Sequence, residues 1–175
     1  TFQLAVAGGL LPVLQPDGAG IVGEYAARTA LAMGADNAVQ LSAPEFDGID
    51  ALAAGRLLAA AVQRQPFDLI LCGKQAVDDD QAAVPPAIAH FLGIPHVSVV
   101  AELAADFVAD SIVARREVEG ATEVVHARFP CLVTMQQGPY EPRYPTLRGM
   151  MASKKKEIPV LAAAGGNCHV YVDAS

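Results

Sequence analysis

Asp68-Leu69-Ile70-Leu71-Cys72-Gly73 decides the fold. Four apolar residues run without polar alternation and close on glycine, the pattern of a strand covered on both faces, as in a parallel sheet clad by helices. Upstream, Ile49 to Gln65 is helix-forming and apolar around much of its circumference, which suits a helix pressed against a sheet, and Pro66 closes it. Downstream, Pro86 to Leu92 reads as a helix ending at Gly93, and His96 to Val100 as another apolar strand. Further toward the start, Phe2 to Ala7 is a strand closing on Gly8-Gly9. Pro12, Pro16, Asp17-Gly18 and Gly20 make Leu10 to Gly23 a turn-rich connector. Glu24 to Met33 is a helix with Gly34 as its stop, and Ala38 to Leu41 a second strand. Strands alternating with helices predict an α/β fold with right-handed crossovers and a parallel sheet.

Beyond Ala101 the pattern changes. Ile112 to Val118, the turn Glu119-Gly120-Ala121 and Thr122 to Arg128 pair as an antiparallel hairpin. Pro130 to Met135 is one more apolar strand, Leu147 to Lys156 a short helix, and Pro159 to Gly166 a flexible Ala/Gly linker. The expected organisation is one domain over residues 1–158 and a C-terminal tail over 159–175.

Composition narrows the function. A chain of 175 residues with 53% hydrophobic and 18% charged residues is long enough for one compact domain. Twelve basic against nineteen acidic residues give a net charge of −7, which opposes general binding to nucleic acid or anionic membranes. Cys72, Cys131 and Cys168 are an odd number without metal-ligand spacing and read as reduced thiols. Apolar stretches are cut well before the ~20 residues of a membrane span, and no basic segment precedes the first of them. The expectation is a cytoplasmic, soluble protein.

In open parallel sheets, ligands bind where strands end and helices begin. Gly73-Lys74-Gln75-Ala76-Val77-Asp78-Asp79-Asp80 occupies that position. Gly73 lets a ligand approach the backbone, Lys74 offers a cation, and the following helix start offers amides. Three aspartates repel a phosphate unless they face elsewhere, as caps or sugar-hydroxyl acceptors. Equally, they cap a helix and project into solvent. A divalent cation, which prefers carboxylate oxygen, ranks third because no further ligands are apparent in the sequence.

The second feature is Glu141-Pro142-Arg143-Tyr144-Pro145-Thr146-Leu147-Arg148, whose prolines stiffen a segment rich in recognition residues. Its plainer reading is a rigid connector with Arg143 paired to Glu141. Lys154 to Lys156 read as a solvated helix end favoured by the dipole. His90, His96, His126 and His169 share no metal spacing, and no hydrolase, dithiol, Walker or dinucleotide fingerprint occurs. No stand-alone enzyme is expected.

With Arg28-Thr29-Ala30-Leu31-Ala32-Met33-Gly34-Ala35-Asp36, the segments Leu71 to Asp80, Phe91 to Pro95, Arg115 to Gly120 and Glu141 to Lys156 come in an order that resembles the beta subunit of electron transfer flavoproteins, from about Glu24 to about Pro159. The resemblance implies a Rossmann-like, HUP-type adenine-nucleotide-binding domain. It implies a heterodimer with an alpha subunit and an FAD lying mainly in alpha and contacted by beta. It further implies AMP, or a second FAD in electron-bifurcating members, in beta. Electrons would pass from flavin dehydrogenases to the flavin and on to a redox acceptor.

Carried onto this chain, the cofactor-binding residues are Ala5, Gly73, Lys74, Gln75, Ala76, Val77, Asp78, Asp79, Asp80, Gln81 and Val84. Partner recognition falls on Gln137, Gly138, Pro139, Tyr140, Glu141, Pro142, Arg143 and Tyr144, a segment that offers no obvious aliphatic anchor. The tail would lie against the alpha subunit. Two departures from the family stand out. Ala82-Ala83-Val84-Pro85-Pro86 replaces a stretch that usually holds a polar Gln and then Gly, removing side-chain donors and, at each proline, an N–H. The residues before the Arg28 helix are about half as many as the family spends there. The opposing reading is a nucleotide-binding or structural relative that kept the fold and lost electron transfer.

Overall fold

The structure is a computed structural model that describes residues 4–7, 11–12, 21–41, 46, 48–74, 82–136, 139, 141, 144–163 and 170–172. The chain divides into two compact units, one built from 6–8 and 51–142, the other from 1–5, 9–50 and 143–175. At the start of the chain are β1 (Leu4–Ala7) and β2 (Leu11–Pro12), the latter a short strand inside the stretch expected to be a connector.

The 51–142 unit holds the decisive stretch. β4 (Leu69–Gly73) pairs in parallel with β8 (Cys131–Met135), residue for residue from Leu69 opposite Cys131 to Gly73 opposite Met135. β8 also runs parallel to the first part of β5 (His96–Asp106). From there the sheet turns antiparallel through β6 (Ser111–Val118) and β7 (Ala121–Arg128), so the order within the unit is β4-β8-β5-β6-β7. This is the expected α/β fold with its added hairpin, a mixed sheet whose parallel strands are flanked by helices. Leu69, Val97, Val100, Ile112, Ala114, Cys131 and Val133 form its buried core. Phe107, after β5, stacks on Phe129, after β7, with ring centroids 5.1 Å apart.

β5 is twice as long as its sequence suggests, for a backbone reason. Val99 has φ 61, a left-handed conformation that a β-branched residue adopts only at a cost of about 1–3 kcal/mol. It marks a bulge between Val97 and Val100 that lets one strand serve a parallel neighbour first and an antiparallel one afterwards. The bulge amide of Val99 donates to the buried Thr134 hydroxyl at 2.8 Å. Thr134→Val keeps the shape and removes that acceptor. It is expected to lower unfolding free energy by about 1–2 kcal/mol in urea denaturation, with Thr134→Ser close to wild type.

Two helices belong to this unit. α2 (Ala51–Val62) buries Ala54, Gly55, Leu58, Ala59 and Val62, a single face, while Leu52 is exposed. That face packs on α3 (Val84–Leu92), where a Cβ on Gly55 would come within 2.5 Å of the Ala87 Cβ. The helix expected to press on a sheet therefore spends its small residues on a neighbouring helix. Gly93, at φ 68, ends α3 as its left-handed C-cap, with its amide bonded to the Ala89 and His90 carbonyls.

The other unit packs α1 (Ile21–Ala32) against α4 (Leu147–Ser153) and carries a three-stranded sheet ordered β10-β9-β3. β3 (Gln40–Leu41) pairs in parallel with β9 (Val160–Ala163), and β10 (Val170–Val172) closes the other side antiparallel. Two expectations are corrected here. β3 belongs to this small sheet and not to the large one, and Val160–Ala163, read as linker, is a strand. The Gln40 amide bonds the Pro159 carbonyl at 3.0 Å, so the pairing is anchored where the proline itself has no N–H to give. The short helix also ends earlier than expected, at Ser153, with Lys154 to Lys156 in a following turn.

Candidate functional site

The first candidate surrounds the carboxyl end of β4 and the amino end of α3. Gly73 and Lys74 are exposed there. Gln75, Ala76, Val77, Asp78, Asp79, Asp80 and Gln81 lie outside the described residues, and Ala5 is on β1. Val84 opens α3 with its side chain buried at 2% exposure, so only its backbone amide can serve a ligand.

α3 begins without a side-chain cap at Ala83 and carries proline in its first turn. Pro85 and Pro86 have no N–H, and the Ala87 amide is taken by the Ala83 carbonyl at 3.2 Å. A phosphate at this helix start would therefore meet the amides of Ala82, Ala83 and Val84. Ala82 sits at φ 44, a left-handed turn into the helix of the kind that lets successive amides converge. The residues present fit one phosphate on backbone amides, with no side-chain donor from 82 to 86.

The second candidate is the recognition segment. Gln137, Gly138, Tyr140, Pro142 and Arg143 lie outside the described residues, while Pro139 and Glu141 are exposed and Tyr144 is 81% exposed. Immediately after it comes an apolar surface that the sequence reading missed. Thr146 caps α4 by accepting the Gly149 amide at 3.0 Å, and the helix then turns Leu147 (73% exposed), Met150 (41%) and Met151 (61%) outward. Their i, i+3, i+4 spacing was legible, but such spacing ordinarily marks a core face. Leu147 is the aliphatic side chain that the preceding residues do not provide.

The opposite face of α4 is fixed to α1. Arg28 Nη1 donates to the Ser153 carbonyl at 2.8 Å, Lys156 Nζ donates to the Asp36 carbonyl, and Ser153 is buried with its hydroxyl on the Met150 carbonyl at 3.0 Å. A Cβ at Gly149 would run into the Ala32 carbonyl oxygen. Lys156, expected among the solvated lysines, is thus a tether. The two motifs, separated by more than a hundred residues, are one packed object.

Sulfur chemistry is suppressed in the sheet. Burial pushes the Cys72 thiol up to about 12 and the Cys131 thiol up to about 11. Both stay protonated at neutral pH, so neither is a thiolate nucleophile. Because the folded values are raised, the stability they contribute is complete below the ordinary thiol value of 9.0 and is lost as pH climbs toward 11–12. Among the described residues no group of three or more His, Cys, Asp or Glu side chains could hold a metal ion, and no helix is long and apolar enough to cross a membrane.

Fold and site together define an α/β protein with a mixed sheet, a helix that opens without a side-chain cap, and an exposed apolar helix face. The Electron transfer flavoprotein domain family matches residues 18–165, and the chain belongs to that family. It is 43% identical over 144 residues to the electron transfer flavoprotein subunit beta of Megasphaera elsdenii, an alignment covering 78% of this chain and 53% of the relative. It is 38% identical over 141 residues to the subunit of the same name from Thermoanaerobacterium thermosaccharolyticum, covering 80% and 54%. It is also 38% identical over 138 residues to the acryloyl-CoA reductase electron transfer subunit gamma of Anaerotignum propionicum, covering 77% and 51%. The chain spans about half the length of the curated relatives it matches.

Proposed function

We propose that this chain works as the beta-type subunit of an electron transfer flavoprotein, pairing with an FAD-carrying alpha subunit to pass electrons from flavin dehydrogenases to a redox acceptor. The observation that carries the reading is the match to the family over residues 18–165, joined to relatives whose names are those of electron transfer subunits. The subunit acts as a carrier and docking protein, not as a catalyst in its own right, and the reading puts the pair in the cytoplasm.

Bound FAD supplies the reversible electron chemistry. This chain contributes contacts to the flavin-bearing alpha subunit and a surface for the dehydrogenase. We assign that surface to Tyr144 and the outward face of α4, where Tyr144, Leu147 and Met151 expose apolar area. The loop 73–84 is the site for AMP or a second FAD, its phosphate resting on the amides at the start of α3. The chain from residue 159 onward, which carries β9 and β10, is the part that lies against alpha.

Co-purification with the alpha partner tests the reading. A yellow complex whose flavin band is bleached by a flavin dehydrogenase supports it, and a colourless complex overturns it. Adenine absorbance released on denaturation, beyond that of one FAD, reports occupancy of the loop 73–84.

A further inference from the structure

We propose that Arg28 is a positioning residue for dehydrogenase docking: its guanidinium holds the C-terminal end of α4 so that Leu147, Met150 and Met151 are presented as a rigid face. The inference rests on the reading of α4 as part of the recognition surface.

A helix of seven residues does not persist by its own propensity. Its last carbonyls have no partner within the regular helix and take donors from the turn that follows and from beyond it. Thr146 secures the first turn, the turn that follows gives the Lys154, Lys155 and Lys156 amides to the Met150, Ala152 and Ser153 carbonyls, and one further donor reaches the last turn from another element. Arg28, on α1, places Nη1 2.8 Å from the carbonyl of Ser153, the final helical residue. A cation at this end also complements the helix dipole. Lys156 adds a second tether on the Asp36 carbonyl, just beyond α1. Gly149 lets the two backbones approach at Ala32.

Arg28 and Gly149 act on the side of α4 that faces α1, and the side with Leu147, Met150 and Met151 is left to a partner. A docking face pays its ordering entropy before the partner arrives when its scaffold is fixed in advance. Loss of the Arg28 tether therefore weakens encounter with the dehydrogenase without touching the flavin.

The experiment uses the flavin-loaded heterodimer as the substrate of its dehydrogenase. Arg28→Gln is expected to raise KM for the flavoprotein roughly tenfold, the equivalent of one charge-assisted hydrogen bond. kcat at saturation and direct reduction of the bound flavin by dithionite stay at wild-type values. Arg28→Lys, which keeps one cationic donor, is expected to restore KM to within about threefold. A purely structural role would reduce the amount of loaded protein and so lower apparent kcat, leaving KM alone. Leu147→Asp separates the two levels of the argument. If it raises KM and Arg28→Gln does not, the positioning role is overturned and the docking surface stands. If neither changes KM, the docking surface itself is wrong. Should Arg28→Gln fail to load flavin, Arg28→Met, which keeps the packing of the stem and removes the donor, takes its place, and an unchanged KM there overturns the proposal.

Discussion

Leu147→Asp is expected to lower kcat/KM for dehydrogenase-driven flavin reduction by about 30-fold or more, while the unfolding transition stays within about 0.5 kcal/mol of wild type. The asymmetry follows from where the side chain stands. Leu147 is 73% exposed and contributes little to the folded state, so replacing it leaves the core intact. In a complex the same residue is the aliphatic group best placed to enter an apolar pocket. An anchor of that kind is worth about 2 kcal/mol or more, and each 1.4 kcal/mol is about a factor of ten. Aspartate loses the apolar contact and adds a carboxylate that must be desolvated. Surface plasmon resonance between the loaded heterodimer and the dehydrogenase checks the binding component, and stopped-flow bleaching of the flavin checks the kinetic one. A variant with wild-type affinity and wild-type reduction would remove α4 from the recognition surface. Met151→Asp, at 61% exposure on the same face, should weaken binding in the same direction.

How much of this was legible in the sequence depended on whether a signal was local. The run Leu69 to Cys72 and the alternation around Glu119-Gly120 each sit within one strand or one turn, and both read correctly as β4 and as the β6–β7 hairpin. β9 did not, because Val160-Leu161-Ala162-Ala163 has linker-like composition and becomes a strand only through its pairing with β3 and β10. The second half of β5 was hidden by a bulge that no residue type announces, since Val99 is a poor choice for φ 61. The site divides in the same way. Gly73 and Lys74 follow from strand-end logic, whereas the face of Leu147, Met150 and Met151 needed knowledge of which side of α4 is held. That side is set by Arg28, 125 residues away from Ser153. Arg28 and Gly149, quoted only as part of the resemblance, and Lys156, read as solvated, turn out to describe a contact between two helices.

The largest loss of stability is expected at a strand that enters late in the chain. β8 lies between β4 and β5, parallel to both, and its Cys131, Leu132, Val133 and Thr134 are all buried. Leu132 is 0% exposed, opposite Ile70 on one neighbour and His96 on the other. Leu132→Ala removes three heavy atoms from a site whose backbone is held on both sides, so the sheet cannot close over the gap. Cavity and transfer costs together amount to about 3–5 kcal/mol, enough to exhaust much of the stability of an ordinary domain. At the free edge of the same sheet, Val124 on β7 is 54% exposed, and Val124→Ala should cost less than about 0.5–1 kcal/mol. Urea denaturation of the two variants in parallel makes the comparison. If Leu132→Ala were as mild as Val124→Ala, β8 could not be the central strand. The parallel pairing that aligns the ends of β4 and β8, and with them Gly73 and Lys74, would then be wrong. The same substitution should also loosen the strand ends beside the proposed nucleotide loop, and adenine released on denaturation should fall below the wild-type amount in the surviving folded fraction.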